Sequence, residues 1–139
     1  MKLLLVDDEV EILKMLRRHL ELEGFEVFTA ATPREALALM PEHLFNIVIT
    51  DIRMPEMTGI TLVKELRKIH PLVNVIIITG FTSMSYIVEC LATGAYDYFT
   101  KPLRRLDEFL EAVRQCRGRV ARWQGAISIG ERHDQPVAV

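Results

Sequence analysis

The stretch that most constrains this chain is Asn46 to Thr50, a nearly all-apolar run that stops abruptly at Asp51. A short apolar run with no polar alternation is the pattern of a strand buried on both faces, as in a parallel sheet covered by helices. Asp51 then stands where the strand emerges, and Met54-Pro55 with Gly59 supplies a turn before the next helical pattern. A carboxylate is costly to bury unpaired, so one in that place requires a cleft and partners. The rest of the chain is the place to seek them.

Lys2 to Val6 repeats the theme, an apolar run that ends in Asp7-Asp8-Glu9. Residues 9–23 then set Ile12, Leu13, Leu16 and Leu20 on one helical face, with Gly24 as the residue past the helix end. Phe25 to Ala30 reads as an edge strand. Thr32-Pro33-Arg34-Glu35 carries a capping box with proline at the first helical position, opening a helix through Met40. After the turn at Gly59, the residues Ile60, Leu62, Val63, Leu66 and Ile69 mark a third helix, closed by His70-Pro71 because the residue before proline is pushed out of the helical region. Val73 to Thr79 is the most β-branched run and predicts a central strand. A shorter helix follows over 83–93, then Gly94, a fifth strand over Tyr96–Thr100 ending in Lys101-Pro102, and a last helix from near Arg105. Its stripe of Leu106, Phe109, Leu110, Val113, Cys116, Val120 and Trp123 persists to Trp123, and Gly125 to Val139 reads as a tail or the start of a linker.

Strands alternating with helices imply a parallel sheet covered on both faces, joined by right-handed crossovers. The expected fold is therefore α/β, a doubly wound flavodoxin-like (βα)5 sheet in strand order 2-1-3-4-5. In that order the winding reverses between the first and third strands, and ligand sites form there at the carboxyl ends. Asp7, Asp8 and Asp51 fall at that edge, while Thr79 and Lys101 end the fourth and fifth strands. Carboxylates within about 4–6 Å of one another would repel by several kcal/mol at an effective dielectric near 20, so the cluster calls for a cation. Magnesium suits an all-oxygen site that keeps waters and takes one or two carboxylates plus a phosphoryl oxygen. Lys101 could neutralise a phosphoryl group and the Thr79 hydroxyl could donate to it, which leaves Asp51 placed as an aspartyl nucleophile for phosphoryl transfer. Any single strand-end Asp is more often a helix N-cap than a ligand. What favours chemistry is that all five residues lie at carboxyl ends of strands.

These residues bring out a family likeness. Leu4-Leu5-Val6-Asp7-Asp8-Glu9, Asp51-Ile52-Arg53-Met54-Pro55-Glu56-Met57-Thr58-Gly59, Ile78-Thr79-Gly80 and Gly94-Ala95-Tyr96-Asp97-Tyr98-Phe99-Thr100-Lys101-Pro102 together resemble the receiver domain of two-component response regulators, the CheY-like superfamily, from the first strand to about residue 120. The resemblance implies that Asp51 takes a phosphoryl group from the phosphohistidine of a sensor kinase or histidine phosphotransfer protein. It implies that Asp7, Asp8, Asp51 and the main-chain carbonyl of Arg53 arrange Mg2+ or Mn2+, and that Lys101 and Thr79 hold the phosphoryl oxygens. Tyr98 matches the family's switch aromatic, partner of Thr79 in the switch, and the Lys101-Pro102 bond is expected to be cis. Arg53 and Phe81 would flank the path of an attacking water. Such a protein is no enzyme in the ordinary sense, since it catalyses only its own phosphotransfer and autodephosphorylation.

Other readings fare less well. A haloacid-dehalogenase-type phosphatase would require a second Asp two residues after the first, where this chain has Arg53. A flavodoxin-like electron carrier would need a hydroxyl- and glycine-rich loop after the first strand, and Asp7-Asp8-Glu9 would repel the flavin phosphate. Within the family reading, the chain could be a receiver detached from a longer transcription factor or hybrid kinase, or a phosphorelay intermediate. The receiver is expected over residues 1–124, with output through the surface of the fourth helix, fifth strand and fifth helix toward another protein or a second copy. A formal net charge of −2 gives no global attraction to nucleic acid or an anionic membrane. No apolar run is long enough to span a bilayer, no cleavage-type segment opens the chain, and Cys90 and Cys116 lack metal or redox spacing. Reduced buried thiols and a cytoplasmic location are expected.

Overall fold

The computed structural model describes residues 1–80 and 83–133. Along these residues run β1 (Lys2–Val6), α1 (Val10–Leu22), β2 (Glu26–Ala30), α2 (Pro33–Leu39), β3 (Ile47–Thr50), α3 (Gly59–Ile69), β4 (Asn74–Thr79), α4 (Met84–Ala92), β5 (Asp97–Thr100) and α5 (Leu106–His133). The strands form one parallel sheet in the order β2-β1-β3-β4-β5, as the sequence predicts, with β2 at an edge.

The pleat divides the apolar runs between two cores. Leu4, Val6, Val48, Val75 and Ile77 point to one face, where they meet Ala36 of α2, Leu62, Val63 and Leu66 of α3 and Cys90 of α4. Leu3, Leu5, Ile49, Ile76 and Ile78 point to the other, against Leu13, Leu16 and Leu20 of α1 and Phe109, Val113 and Cys116 of α5. Each such side chain removed from water contributes about 1.5–3 kcal/mol, so the interiors of the central strands stay apolar and polar residues enter only at their ends, as Thr50 of β3 and Thr79 of β4 do. That is why their polar ends mark its carboxyl rim.

Local signals set the helix boundaries. Thr32 Oγ1 accepts from the Glu35 amide at 3.1 Å with Pro33 following it, and the Glu35 carboxylate reaches back to the Ala31 amide at 2.8 Å, one residue earlier than a standard capping box. Thr58 caps α3 through the Thr61 amide at 3.2 Å, and Ser83 caps α4 through the Tyr86 amide at 3.4 Å. Gly24 takes a φ of +94° past α1, the left-handed conformation that glycine adopts without a steric cost.

Helix α5 departs from the expectation of a tail after Gln124, because it continues to His133. Gly125 and Gly130 each cost a helix only about 1 kcal/mol relative to alanine, and no proline interrupts this span. What ends near Val120 is the burial, not the helix: Val120 is 5% exposed and Trp123 56%. Both cysteines are free and buried. No helix among the described residues is long and apolar enough to cross a membrane.

Candidate phosphoacceptor site

The parallel register brings the ends of β1 and β3 side by side, Val6 opposite Thr50, so the acids that follow them emerge together. The Asp51 amide donates to the Val6 carbonyl at 3.0 Å, and the Asp7 amide to the Ala30 carbonyl at 3.1 Å, which extends the ladder by one residue at the rim. Asp7 and Asp51 are nonetheless buried, 5% and 6% exposed, whereas Asp8 faces solvent.

Each buried carboxylate is held at both oxygens. Asp7 Oδ1 accepts from the Glu9 amide at 2.8 Å and Asp51 Oδ1 from the Arg53 amide at 3.2 Å. Their Oδ2 atoms meet the Lys101 ammonium at 2.7 and 2.8 Å. Lys101 reaches this place because its amide continues the β4–β5 pairing, donating to the Thr79 carbonyl at 2.9 Å, and the Lys101-Pro102 bond that follows is cis. Burial works against the charge on Lys101, but the hydrogen bonds it donates to Asp51 and Asp7 outweigh it and hold the ammonium well above its ordinary range. Burial raises the Asp7 carboxyl, and the Lys101 hydrogen bond and the Glu9 amide offset that only in part.

A single groove of about 490 Å3 gathers Asp8, Asp51, Arg53, Thr79, Lys101 and Pro102 in its walls. Asp7, Asp8 and Asp51 each offer an oxygen within 4.8 Å of the others. An all-oxygen donor set with two members fixed by main-chain amides fits a hard divalent cation. Thr79 is fully buried at the end of β4, and Tyr98 is half-buried against the core formed by α2, α3 and α4, with burial raising its phenol. Phe81 lies outside the described residues.

Two participants escaped the sequence reading. The Glu9 carboxylate stands 3.3 Å from Lys101 and makes no hydrogen bond to the end of α1 although Glu9 is its N-cap residue. Its place directly after Asp7-Asp8 was the available signal. Gly59 is the other: a Cβ there would meet the main chain of Asp51 and Ile52, and the Gly59 amide donates to the Ile52 carbonyl at 2.7 Å. The glycine lets α3 start directly beneath the loop that follows β3.

Comparison with known proteins agrees with this geometry. A family model described as the response regulator receiver domain matches residues 3–114. The transcriptional regulatory protein ZraR of Salmonella typhimurium is 40% identical over 111 residues, which cover 78% of this chain and 25% of ZraR. The chain thus spans about a quarter of the length of the curated relatives it matches. Among solved structures, a CheY-like response regulator receiver domain protein from Methanospirillum hungatei superposes with a TM-score of 0.77 at 34% identity, covering 84% of this chain and 94% of that one. The response regulator TrrA of Thermotoga maritima, solved in complex with Mg2+-BeF, gives a TM-score of 0.73 at 31% identity, covering 83% of this chain and 97% of that one.

Proposed function

The chain belongs to the response regulator receiver family, and from that premise we propose that Asp51 accepts a phosphoryl group from the phosphohistidine of a sensor kinase or histidine phosphotransfer protein. The observation that carries this reading is the Lys101 ammonium set between Asp7 and Asp51 at 2.7 and 2.8 Å at the switch point of the sheet. An Asp51 carboxylate oxygen attacks phosphorus, the phosphorus–nitrogen bond of the donor histidine breaks, and the imidazole leaves with the electron pair. Arg53 N–H, already on Asp51 Oδ1 at 3.2 Å, fixes the carboxylate plane so that the other oxygen faces the groove. Lys101 follows the transferred group as its counter-charge, and the Thr79 hydroxyl donates to one of its oxygens.

Asp7, Asp8, Asp51 and the Arg53 carbonyl would hold a divalent ion, Mg2+ by the donor chemistry, which when bound neutralises the charge that builds on the phosphoryl oxygens. The protein catalyses only its own phosphorylation and dephosphorylation. The tie to signalling is Thr79: movement of its hydroxyl toward the phosphoryl group would free space for Tyr98 and alter the surface of α4, β5 and α5. That surface acts on a second copy or on another protein, with α5 the main contact. ZraR is a transcriptional regulatory protein and AtoC a regulatory protein, so the chain is read as the receiver of a longer regulator in which DNA contact belongs to other domains. Transfer of label from a phosphorylated histidine kinase to the wild-type chain, and its loss in Asp51→Asn, tests the proposal; transfer that persists in the variant overturns it.

A further inference from the structure

At the rim of the sheet opposite Asp51, where β3 and β4 begin, the overhanging part of α5 and the loops before these strands enclose a groove of about 520 Å3. Its apolar walls include Leu44, Leu72, Trp123 and Ile127, exposed by 61%, 73%, 56% and 46%. Apolar groups gathered at one open place mark a binding surface, and the volume is that of small-molecule sites, which run to roughly 300–1,000 Å3.

The charged side chains described in its walls are of one sign. Arg67 and Arg119 line the groove, and among the described residues its lining contains no carboxylate. Arg67 is half-buried and gives one guanidinium hydrogen to the Gly94 carbonyl at 3.0 Å, and desolvation lowers its proton affinity with no acid opposing the effect. Arg119 lies 5.6 Å from the centre of the Tyr96 ring and forms no ion pair among the described residues. Elsewhere on α5, Arg114 pairs with Glu111 and Glu23, and Arg117 gives a guanidinium hydrogen to the Glu23 carbonyl. Two cations with no carboxylate partner among the described residues, set beside an apolar cleft, make a site whose missing part is negative.

We propose that this groove binds a small amphipathic anion, an aromatic or alkyl carboxylate whose body lies against Trp123 and Leu72 and whose charged end meets Arg67 and Arg119. The site is separate from the acid cluster and does not depend on the role given to Asp51. Both guanidinium groups keep free donors for the bidentate contact that a carboxylate accepts.

Trp123 is the chain's one tryptophan, so its emission reports occupancy directly. The test titrates the 139-residue chain with pyrenebutyrate, and with pyrenebutanol as its uncharged counterpart, reading energy transfer from Trp123. Saturable transfer with a preference of roughly tenfold or more for the carboxylate is expected, the scale of a charge-assisted hydrogen bond. Arg67→Gln and Arg119→Gln should each erase most of that preference while leaving pyrenebutanol binding unchanged. Arg119 is exposed, so its replacement keeps the test open even where loss of the Arg67 contact to Gly94 harms folding. Equal affinity for both probes, or an unchanged preference in Arg119→Gln, overturns the proposal. So does Trp123 emission that shifts with protein concentration alone and excludes both probes, because a second copy then fills the groove.

Discussion

Gly59 lies so close beneath Asp51 that a Cβ at position 59 would stand 2.8 Å from the Ile52 Cα and closer still to the Asp51 carbonyl oxygen. The obstacle is main chain on both counts, so no side-chain rotation relieves it. Gly59→Ala should destabilise the fold by about 1–3 kcal/mol, as overpacking does, and should slow phosphorylation by shifting the Asp51 backbone. Urea unfolding and the labelling rate with a small phosphodonor check this. An unchanged midpoint together with an unchanged rate would refute it.

Lys101→Met and Thr79→Ala should impair the protein in different proportions. Lys101 supplies a full charge between two buried carboxylates, and its loss leaves both uncompensated, a change that costs a folded protein about 3–5 kcal/mol. Thr79 contributes one hydroxyl to the groove. Labelling should therefore slow more in Lys101→Met, while Thr79→Ala should label and fail to transmit. The opposite order would reverse the roles proposed for the two residues.

Burial raises the Cys116 thiol from an ordinary 9.0 to about 12. A folded-state value above the unfolded one means that its stabilisation is complete below about pH 9 and is lost as pH rises toward about 12, by ~1.4 kcal/mol per pH unit within that window. Cys116→Val should flatten this part of the stability profile relative to wild type, and neither Cys116 nor Cys90 should react with a thiol reagent at pH 8 until the chain unfolds. Identical alkaline profiles for the two proteins would show that Cys116 does not contribute.

The proposed output rests on a change of association. A phosphoryl mimic at Asp51 should alter self-association or affinity for a candidate kinase or effector, and Tyr98→Ala should weaken that change without preventing labelling. Reversal of a 1:99 population takes about 5.5 kcal/mol of differential stabilisation, so even a partial switch should be visible by sedimentation. Sedimentation that is the same in every state would favour a phosphorelay intermediate that hands the group on to another histidine.

Much of the site was legible because β1, β3 and β4 are buried on both faces and can end only where polarity returns. Asp7, Asp51 and Thr79 therefore announced their positions at the ends of apolar runs, Lys101 followed from the fifth strand of the β/α alternation, and the strand order brought them together. The cis bond before Pro102 came from family resemblance, since nothing in a Lys-Pro pair specifies its isomer. The Glu9 contact with Lys101 was hidden because an acid at the start of a helix reads equally well as a cap. Helix α5 beyond Trp123 was missed for a related reason: apolar periodicity reports burial, and a helix that leaves the core keeps its hydrogen bonds while its stripe goes unburied. The crowding at Gly59 could not be read from sequence at all, because it depends on the path of another segment.

Intact mass after incubation with a small-molecule phosphodonor tests the central claim most directly. An acyl phosphate adds about −1.5 to −2 charges beside Asp7 and Asp8, so its formation should require a divalent ion. The wild-type chain should gain the mass of one phosphoryl group with Mg2+ and none with chelator, and Asp51→Asn should gain none in either. Undiminished labelling of Asp51→Asn, or labelling of the wild type that is indifferent to Mg2+, would contradict the account.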